Sequence, residues 1–275
     1  MKTLFRYASL AVALGAGGLA GTDYLLADDK KPAAPPAAAN VAPAGAAAGD
    51  SKPDPNAAPV KLTAAAIKTE FAVKPKELSE AVKKGLEYLV KTQQEDGGWN
   101  QGGGWRNATG GGRVEGKEVE DPSDIGNTCF ALLALFRAGN TPTEGPYKDA
   151  VKKGLKFVLA KVEKADTDSL AVTDVKGTQI QSKIGQYVDT IMANLDLAEM
   201  RGKCGDQEKA VAAALEKTMS KIVRHQTADG GFAGNAGWAP TLSVGLCNKG
   251  VARAKERGAV VDEVVLKRVL AQSEA

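Results

Sequence analysis

From about Leu78 to its last residue, the chain carries apolar side chains that return every three or four positions. Val82, Leu86, Leu89 and Val90 fall on one face at that spacing and predict a helix over 78–90. Gln93-Gln94-Glu95-Asp96-Gly97-Gly98-Trp99 follows, and its Gly pair ends the helix. A polar, Gly-rich stretch then runs to Asp124. Asn127-Thr128-Cys129-Phe130-Ala131-Leu132-Leu133-Ala134-Leu135-Phe136-Arg137-Ala138 predicts a second, more apolar helix closed by Gly139.

The pattern repeats. Ala150-Val151-Lys152-Lys153-Gly154-Leu155-Lys156-Phe157-Val158 restates Ala81 to Leu89, and Thr190 to Leu197 predicts its partner helix. A third copy has a helix over 212–223, then Gln226-Thr227-Ala228-Asp229-Gly230-Gly231-Phe232, then a partner beginning at Thr241. Thr128, Thr190 and Thr241 head the three second helices, about 50 to 60 residues apart. Helix pairs at that period predict stacked αα-hairpins, each burying its apolar stripe on its neighbours. One further helix is predicted from about Val261.

Gln93-x-x-Asp96-Gly97-Gly98-Trp99 and Gln226-x-x-Asp229-Gly230-Gly231-Phe232 resemble the Gln–Trp repeat of the prenyltransferase/squalene-cyclase family. The resemblance covers roughly Leu78 to the end and implies an all-α fold, an α/α-toroid type repeat of helix hairpins. In that family the Gln and Trp tie the end of one helix to the start of the next, which satisfies orphan backbone groups under an aromatic ring. The middle copy lacks Gln-x-x-Asp-Gly-Gly at Ala160 to Lys164, so its joint is expected to be looser. A closed ring of this family needs about six helix pairs. Here there are about three pairs and one helix, and Gln272 falls where a motif Gln belongs just before the chain stops. The expectation is an incomplete or open half-ring, which a second copy could complete.

Upstream, Lys2 and Arg6 precede an apolar run from Tyr7 to about Ala20, the pattern of a signal peptide or signal anchor over 1–27. An Ala/Pro-rich disordered linker is expected over 28–65 and the repeat domain over 66–275. The protein is therefore expected to be exported (periplasmic, secreted or cell-surface), with membrane contact only through an uncleaved N-terminal segment. Three cysteines, Cys129, Cys204 and Cys247, imply no disulfide framework, and Cys129 and Cys247 read as buried small apolar residues.

Composition narrows the chemistry. With 36 basic and 33 acidic residues the charges nearly cancel, no basic stripe with aromatics appears, and a nucleic-acid partner is not expected. Aromatics make up 5% of the chain, too few to line a carbocation cavity as well as the joints. The Asp-x-Asp-Asp acid of the protonating cyclases is absent. Glu118, Glu120, Asp121, Asp166 and Asp168 read as solvated loop acids. A zinc site of Asp, Cys and His is not expected, because His225 is the single histidine and reads as a helix-end residue. No cofactor or metal is expected.

Cys204-Gly205-Asp206-Gln207 keeps the Cys-to-Gln spacing of complement-type thioester domains, but Lys203 and Asp206 depart from their Gly-Cys-Gly-Glu-Gln; an ordinary helix-ending loop is the expected reading. The Gly102 to Arg113 stretch lacks the Gly-Lys-Ser/Thr of a phosphate loop.

If a pocket exists, the resemblance places it at the N-terminal ends of the second helices. That nominates Asp124, Asn127, Asp189, Asn194 and Asp196 for a concave face, with helix caps as their competing role. The expected function is a non-catalytic binding or scaffold domain with an unknown ligand or protein at that face. The alternative is an enzyme on the same scaffold, terpenoid cyclase-like or polysaccharide lyase-like. A lyase would need converging basic residues, for which Arg113, Arg137 and Arg253 are the candidates.

Overall fold

The computed structural model describes residues 58–62, 77–101 and 121–274. The N-terminal leader, most of the linker and the Gly-rich stretch with Arg113 lie outside the described residues. Within them the fold is all-helical: α1 (Glu80–Lys91), α2 (Ile125–Arg137), α3 (Lys148–Lys164), α4 (Gln179–Ile184), α5 (Val188–Met200), α6 (Glu208–His225), α7 (Pro240–Glu256) and α8 (Glu263–Glu274). No helix among the described residues is long and apolar enough to cross a membrane.

Helix ends follow local chemistry. The Ser79 hydroxyl accepts from Val82 N at the start of α1, and Asp124 accepts from Asn127 N at the start of α2. Thr178 and Gln181 form a capping box on α4, a six-residue helix too short to show periodicity in the sequence.

Helix α5 is the centre of the core. All of its residues from Val188 to Met200 are buried, and it packs against α2, α6 and α7. Helix α3 lies against both α2 and α6, α1 against α2, and α8 against α7. So α2, α5 and α7 make one layer, with α3 and α6 forming the layer behind it. Ile191, Met192, Leu195 and Leu197 are fully buried, each contributing about 1.5–3 kcal/mol of transfer free energy. The price is five polar residues, Asp189, Thr190, Asn194, Asp196 and Glu199, carried into the same interior.

Part of the stretch expected as linker is in contact with the helices. Residues 58–62 are docked on α6 and on the turn after α7. Val60 N donates to Ser220 Oγ at 2.9 Å, Leu62 N to Glu216 Oε1 at 2.8 Å, and Val260 N to Lys61 O at 2.9 Å. Val60 is buried in the core. An apolar Val and Leu with free backbone donors supply what the Ala/Pro-rich stretch before them lacks.

Candidate functional site

The two motif loops close in the same way. Gln93 Nε2 donates to Gly97 O at 2.8 Å, and Gln226 Nε2 to Gly230 O at 3.2 Å. Gln94 N donates to Gly98 O, and Thr227 N to Gly231 O. Gly97 N returns to Gln94 O, and Gly230 N to Thr227 O. Asp96 Oδ1 accepts from Gly98 N at 2.9 Å, and Asp229 Oδ1 from Gly231 N at 3.2 Å. Gly97 and Gly230 have φ of 89° and 82°, a left-handed conformation that favours glycine.

Each loop also reaches outward. Trp99 Nε1 donates to Leu89 O at 2.7 Å, holding the end of α1, while its backbone N–H donates to Thr128 Oγ1 at 2.9 Å in α2. The buried Trp99 ring lies over Gly154 of α3. Phe232 is buried as well and pairs with Gln226 through a backbone bridge.

The middle joint, expected to be looser, is fastened by other means. Lys217, Lys221, Arg224 and His225 line one face of α6 and donate to or meet the backbone carbonyls of 163–171. Lys217 Nζ reaches Glu163 O and Ala165 O, Lys221 Nζ reaches Ser169 O and Ala171 O, and Arg224 Nη1 reaches Thr167 O. His225 Nε2 lies 2.6 Å from Asp168 O. Thr190 Oγ1 donates to Leu170 O at 2.8 Å from the α5 side. Asp166 and Asp168 are exposed loop acids as expected. Ser169 bonds hold the Asp166 carboxyl well below the usual range.

The nominated polar residues fall into two groups. Asp124 and Asp189 meet at the start of α2. Asp124 Oδ1 accepts from Asn127 N at 2.7 Å and Asp124 Oδ2 from Asn127 Nδ2 at 2.7 Å. Asp189, from the first turn of α5, accepts from Gly126 N at 2.9 Å and from Gln181 Nε2 at 2.7 Å. Two carboxylates therefore satisfy the orphan N–H groups of one helix, one of them from another helix. Burial pushes Asp124 up to about 6 against the pull of its Asn127 hydrogen bonds, with the Asp189 and Asp121 charges adding to the rise. Burial raises Asp189 as well.

Asp121 is buried, which corrects its reading as a solvated acid; Gln101 Nε2 donates to its Oδ2 at 2.9 Å. Gln101 Oε1 in turn accepts from Gln179 N, so this amide couples the motif loop to α4.

Asn194 and Asp196 lie deeper in α5. Thr218 Oγ1 donates to Asn194 Oδ1 at 3.1 Å. Neither Asp196 oxygen has an N–H or O–H donor among the described residues; the Cys129 thiol lies beside it. Burial, then the Glu199 charge, raises the Asp196 carboxyl well above its ordinary range, with Arg137 opposing. Asn127 is the one nominated residue that is half-buried rather than buried.

A cavity of about 320 Å³ opens where α4 and α5 begin, lined by Thr173, Val175, Gln181, Gln186, Asp189 and Thr190 among others. Its surface is mostly apolar, from Ala171, Val172 and Val175, with amides, hydroxyls and one carboxylate that could orient a ligand by hydrogen bonds. Among the described residues no group of three His, Cys, Asp or Glu is placed to hold a metal ion. All three cysteines are buried free thiols. Burial pushes Cys204 and Cys247 up to about 12 and Cys129 well above its usual range. Cys204 Sγ donates to Met200 O at 3.1 Å, within the helix-ending loop.

Sequence reasoning missed Gln181, Lys221 and the role of Asp189 as a cap on α2. The Thr178-x-x-Gln181 capping box is a signal that could have placed α4. No family model, no curated protein and no solved structure matches this chain.

Proposed function

We propose that this chain is an exported α/α-repeat protein of the prenyltransferase/squalene-cyclase repeat type that works by binding, as a scaffold, without catalysis of its own. The observation that carries the reading is the doubled joint. Four hydrogen bonds recur at matched positions in Gln93 to Trp99 and Gln226 to Phe232, on a glycine of the same left-handed conformation. Alternate packing of α2, α5 and α7 against α3 and α6 is in keeping with a toroid-type array of hairpins.

Support for binding over catalysis comes from how the reactive groups are used. A cyclase needs a cavity lined by aromatic rings, and the lining of the cavity beside α5 has none. The thiols are buried with raised pKa, and the His225 ring is engaged with Asp168 O. The ligand surface is the cavity beside Asp189.

A second reading, an enzyme on the same scaffold, has one specific observation behind it. Asp124, at about 6 beside a second carboxyl, is a proton donor matched to mildly acidic solution. The two readings separate when the protein is incubated with squalene and with geranylgeranyl diphosphate, between about pH 5 and 7, and products are sought by gas chromatography–mass spectrometry. The scaffold reading expects none. A product that forms with the wild type and disappears in Asp124→Asn establishes the enzyme instead.

A further inference from the structure

Trp238 is the most exposed large apolar side chain among the described residues, with 86% of its surface in solvent. A single exposed apolar residue is ordinary; this one stands out by the fastening beneath it. Trp238 N donates to Ser182 O at 3.3 Å and Ala239 N to Lys183 O at 2.7 Å, so the residue rides on α4. Asn235 clamps the same loop from two sides. Its Oδ1 accepts from Tyr187 N at 3.1 Å, and its Nδ2 donates to Ser243 Oγ at 2.7 Å. Gly237 runs so close to the end of α4 that a Cβ there would lie 2.7 Å from Ile184 C and Gly185 N. The fold thus holds the backbone of Trp238 tightly while leaving its ring in water.

Ser182, whose carbonyl holds Trp238, also lines the cavity beside Asp189. An exposed indole is therefore carried next to that cavity's rim. The polar groups deep in the cavity wall are spent on the fold. Asp189 accepts from Gly126 N and Gln181 Nε2, and Thr190 Oγ1 donates to Leu170 O. Those nearer solvent are not. Ser182 and Gln186 are exposed, and neither side chain has a hydrogen-bond partner among the described residues. Thr173 Oγ1 accepts from Val175 N at 3.1 Å and keeps its O–H to give. Lys176 is the one cation among the described lining residues.

An occupant has to match both kinds of surface. A polyanion would find one lysine, and a polycation would find a carboxylate whose oxygens are already taken. A pyranose fits, because its faces are patches of C–H that pack on aromatic or aliphatic surface. Its rim is a ring of hydroxyls that pair with amide and hydroxyl side chains. Equatorial substitution, as in β-linked glucose-type units, leaves both faces flat for stacking. At about 320 Å³ the cavity is at the small end for ligand sites, which suits a short stretch of sugar.

We propose that Trp238 and the cavity beside Asp189 form one binding site for a neutral chain of β-linked pyranoses. The indole is the stacking platform, and Gln186 and Ser182 bond the sugar hydroxyls. The proposal rests on the reading of that cavity as the ligand surface and names the class of ligand it takes.

Titration calorimetry of the full chain with cellohexaose tests it, with sorbitol as a control that carries hydroxyls but no ring face. Cellohexaose binds saturably and raises Tm, while sorbitol gives no saturable heat. Trp238→Ala weakens cellohexaose binding by about tenfold or more, and Trp238→Tyr, which keeps an aromatic face, stays within about threefold of the wild type. Because the ring is exposed, both variants keep the wild-type Tm in the absence of sugar. Gln186→Ala weakens binding by about threefold. No saturable binding of cellohexaose, or equal affinity in Trp238→Ala, overturns the site and leaves the scaffold reading as it stood. A dimer in sedimentation that dissociates in Trp238→Ala, without cellohexaose binding, also overturns it in favour of an interface between copies. Shorter oligosaccharides produced from bound cellohexaose uphold the sugar site and contradict only the non-catalytic reading.

Discussion

Gln93 Nε2 donates to the carbonyl of Ala150 at 2.9 Å, so the end of α1 is bonded to the first turn of α3. The same amide also serves Gly97 O within its own loop. In the third copy the reach runs the other way: Arg268 Nη1 of α8 donates to Gln226 O at 3.4 Å. Gln93 thus ties the end of α1 to α3, and Gln226 the end of α6 to α8.

The Trp99 ring sets a steric demand on α3. A Cβ on Gly154 would lie 2.8 Å from Trp99 Cζ3 and 2.9 Å from Leu132 Cδ2, both inside the core. Gly154→Ala should therefore destabilise by about 1–3 kcal/mol through overpacking. Gly85 holds the matching position in α1, where a Cβ would meet nothing within 4 Å. Gly85→Ala should stabilise by about 0.5–1 kcal/mol, the ordinary helix-interior gain. Urea unfolding of both variants measures the contrast.

Asp124 links stability to pH. Its carboxyl is raised from 3.8 to about 6 in the folded chain, so the folded state holds the proton more tightly than the unfolded state. The stability associated with this group is complete below about pH 4 and is lost as pH climbs through about 6. Asn caps a helix as well as Asp does and carries no charge to desolvate. Asp124→Asn should match the wild type near pH 4 and exceed it at pH 7 by up to about 3 kcal/mol. Guanidinium melts at the two pH values give the difference directly.

Lys221 is the fastening of the middle joint. Its side chain is 1% exposed, and its ammonium donates to Ser169 O and Ala171 O with Asp166 Oδ1 at 3.6 Å. Lys221→Met keeps the buried stem but leaves two carbonyls without their donor, at a cost of about 2–4 kcal/mol. Limited proteolysis should then cut between 165 and 178, the stretch that borders the cavity beside Asp189, before any other ordered part of the fold.

The helices were legible because their apolar spacing is strong, from Val82-Leu86-Leu89 in α1 to Ala212–Val223 in α6. The motif loops were legible too, since Gly-Gly after Gln-x-x-Asp dictates its own turn. What escaped was set by tertiary contact. Gly85 and Gly154 sit in nearly the same local sequence, yet only one lies under a Trp ring. Asp189 reads as a first-turn acid of its own helix and in fact caps α2 through Gly126 N. Lys221 has the sequence neighbours of a surface lysine, and its burial depends on carbonyls fifty residues away.

Amide hydrogen exchange on Gln93→Ala and Gln226→Ala tests most directly the claim that the motif loops join successive hairpins. Exchange should be about tenfold faster at the end of α1 and the start of α3 in Gln93→Ala, with α6 to α8 unchanged. Gln226→Ala should show the complementary pattern at the end of α6 and in the loop through Phe232. Uniform acceleration along the whole chain, or no change at the two joined helices, would contradict it.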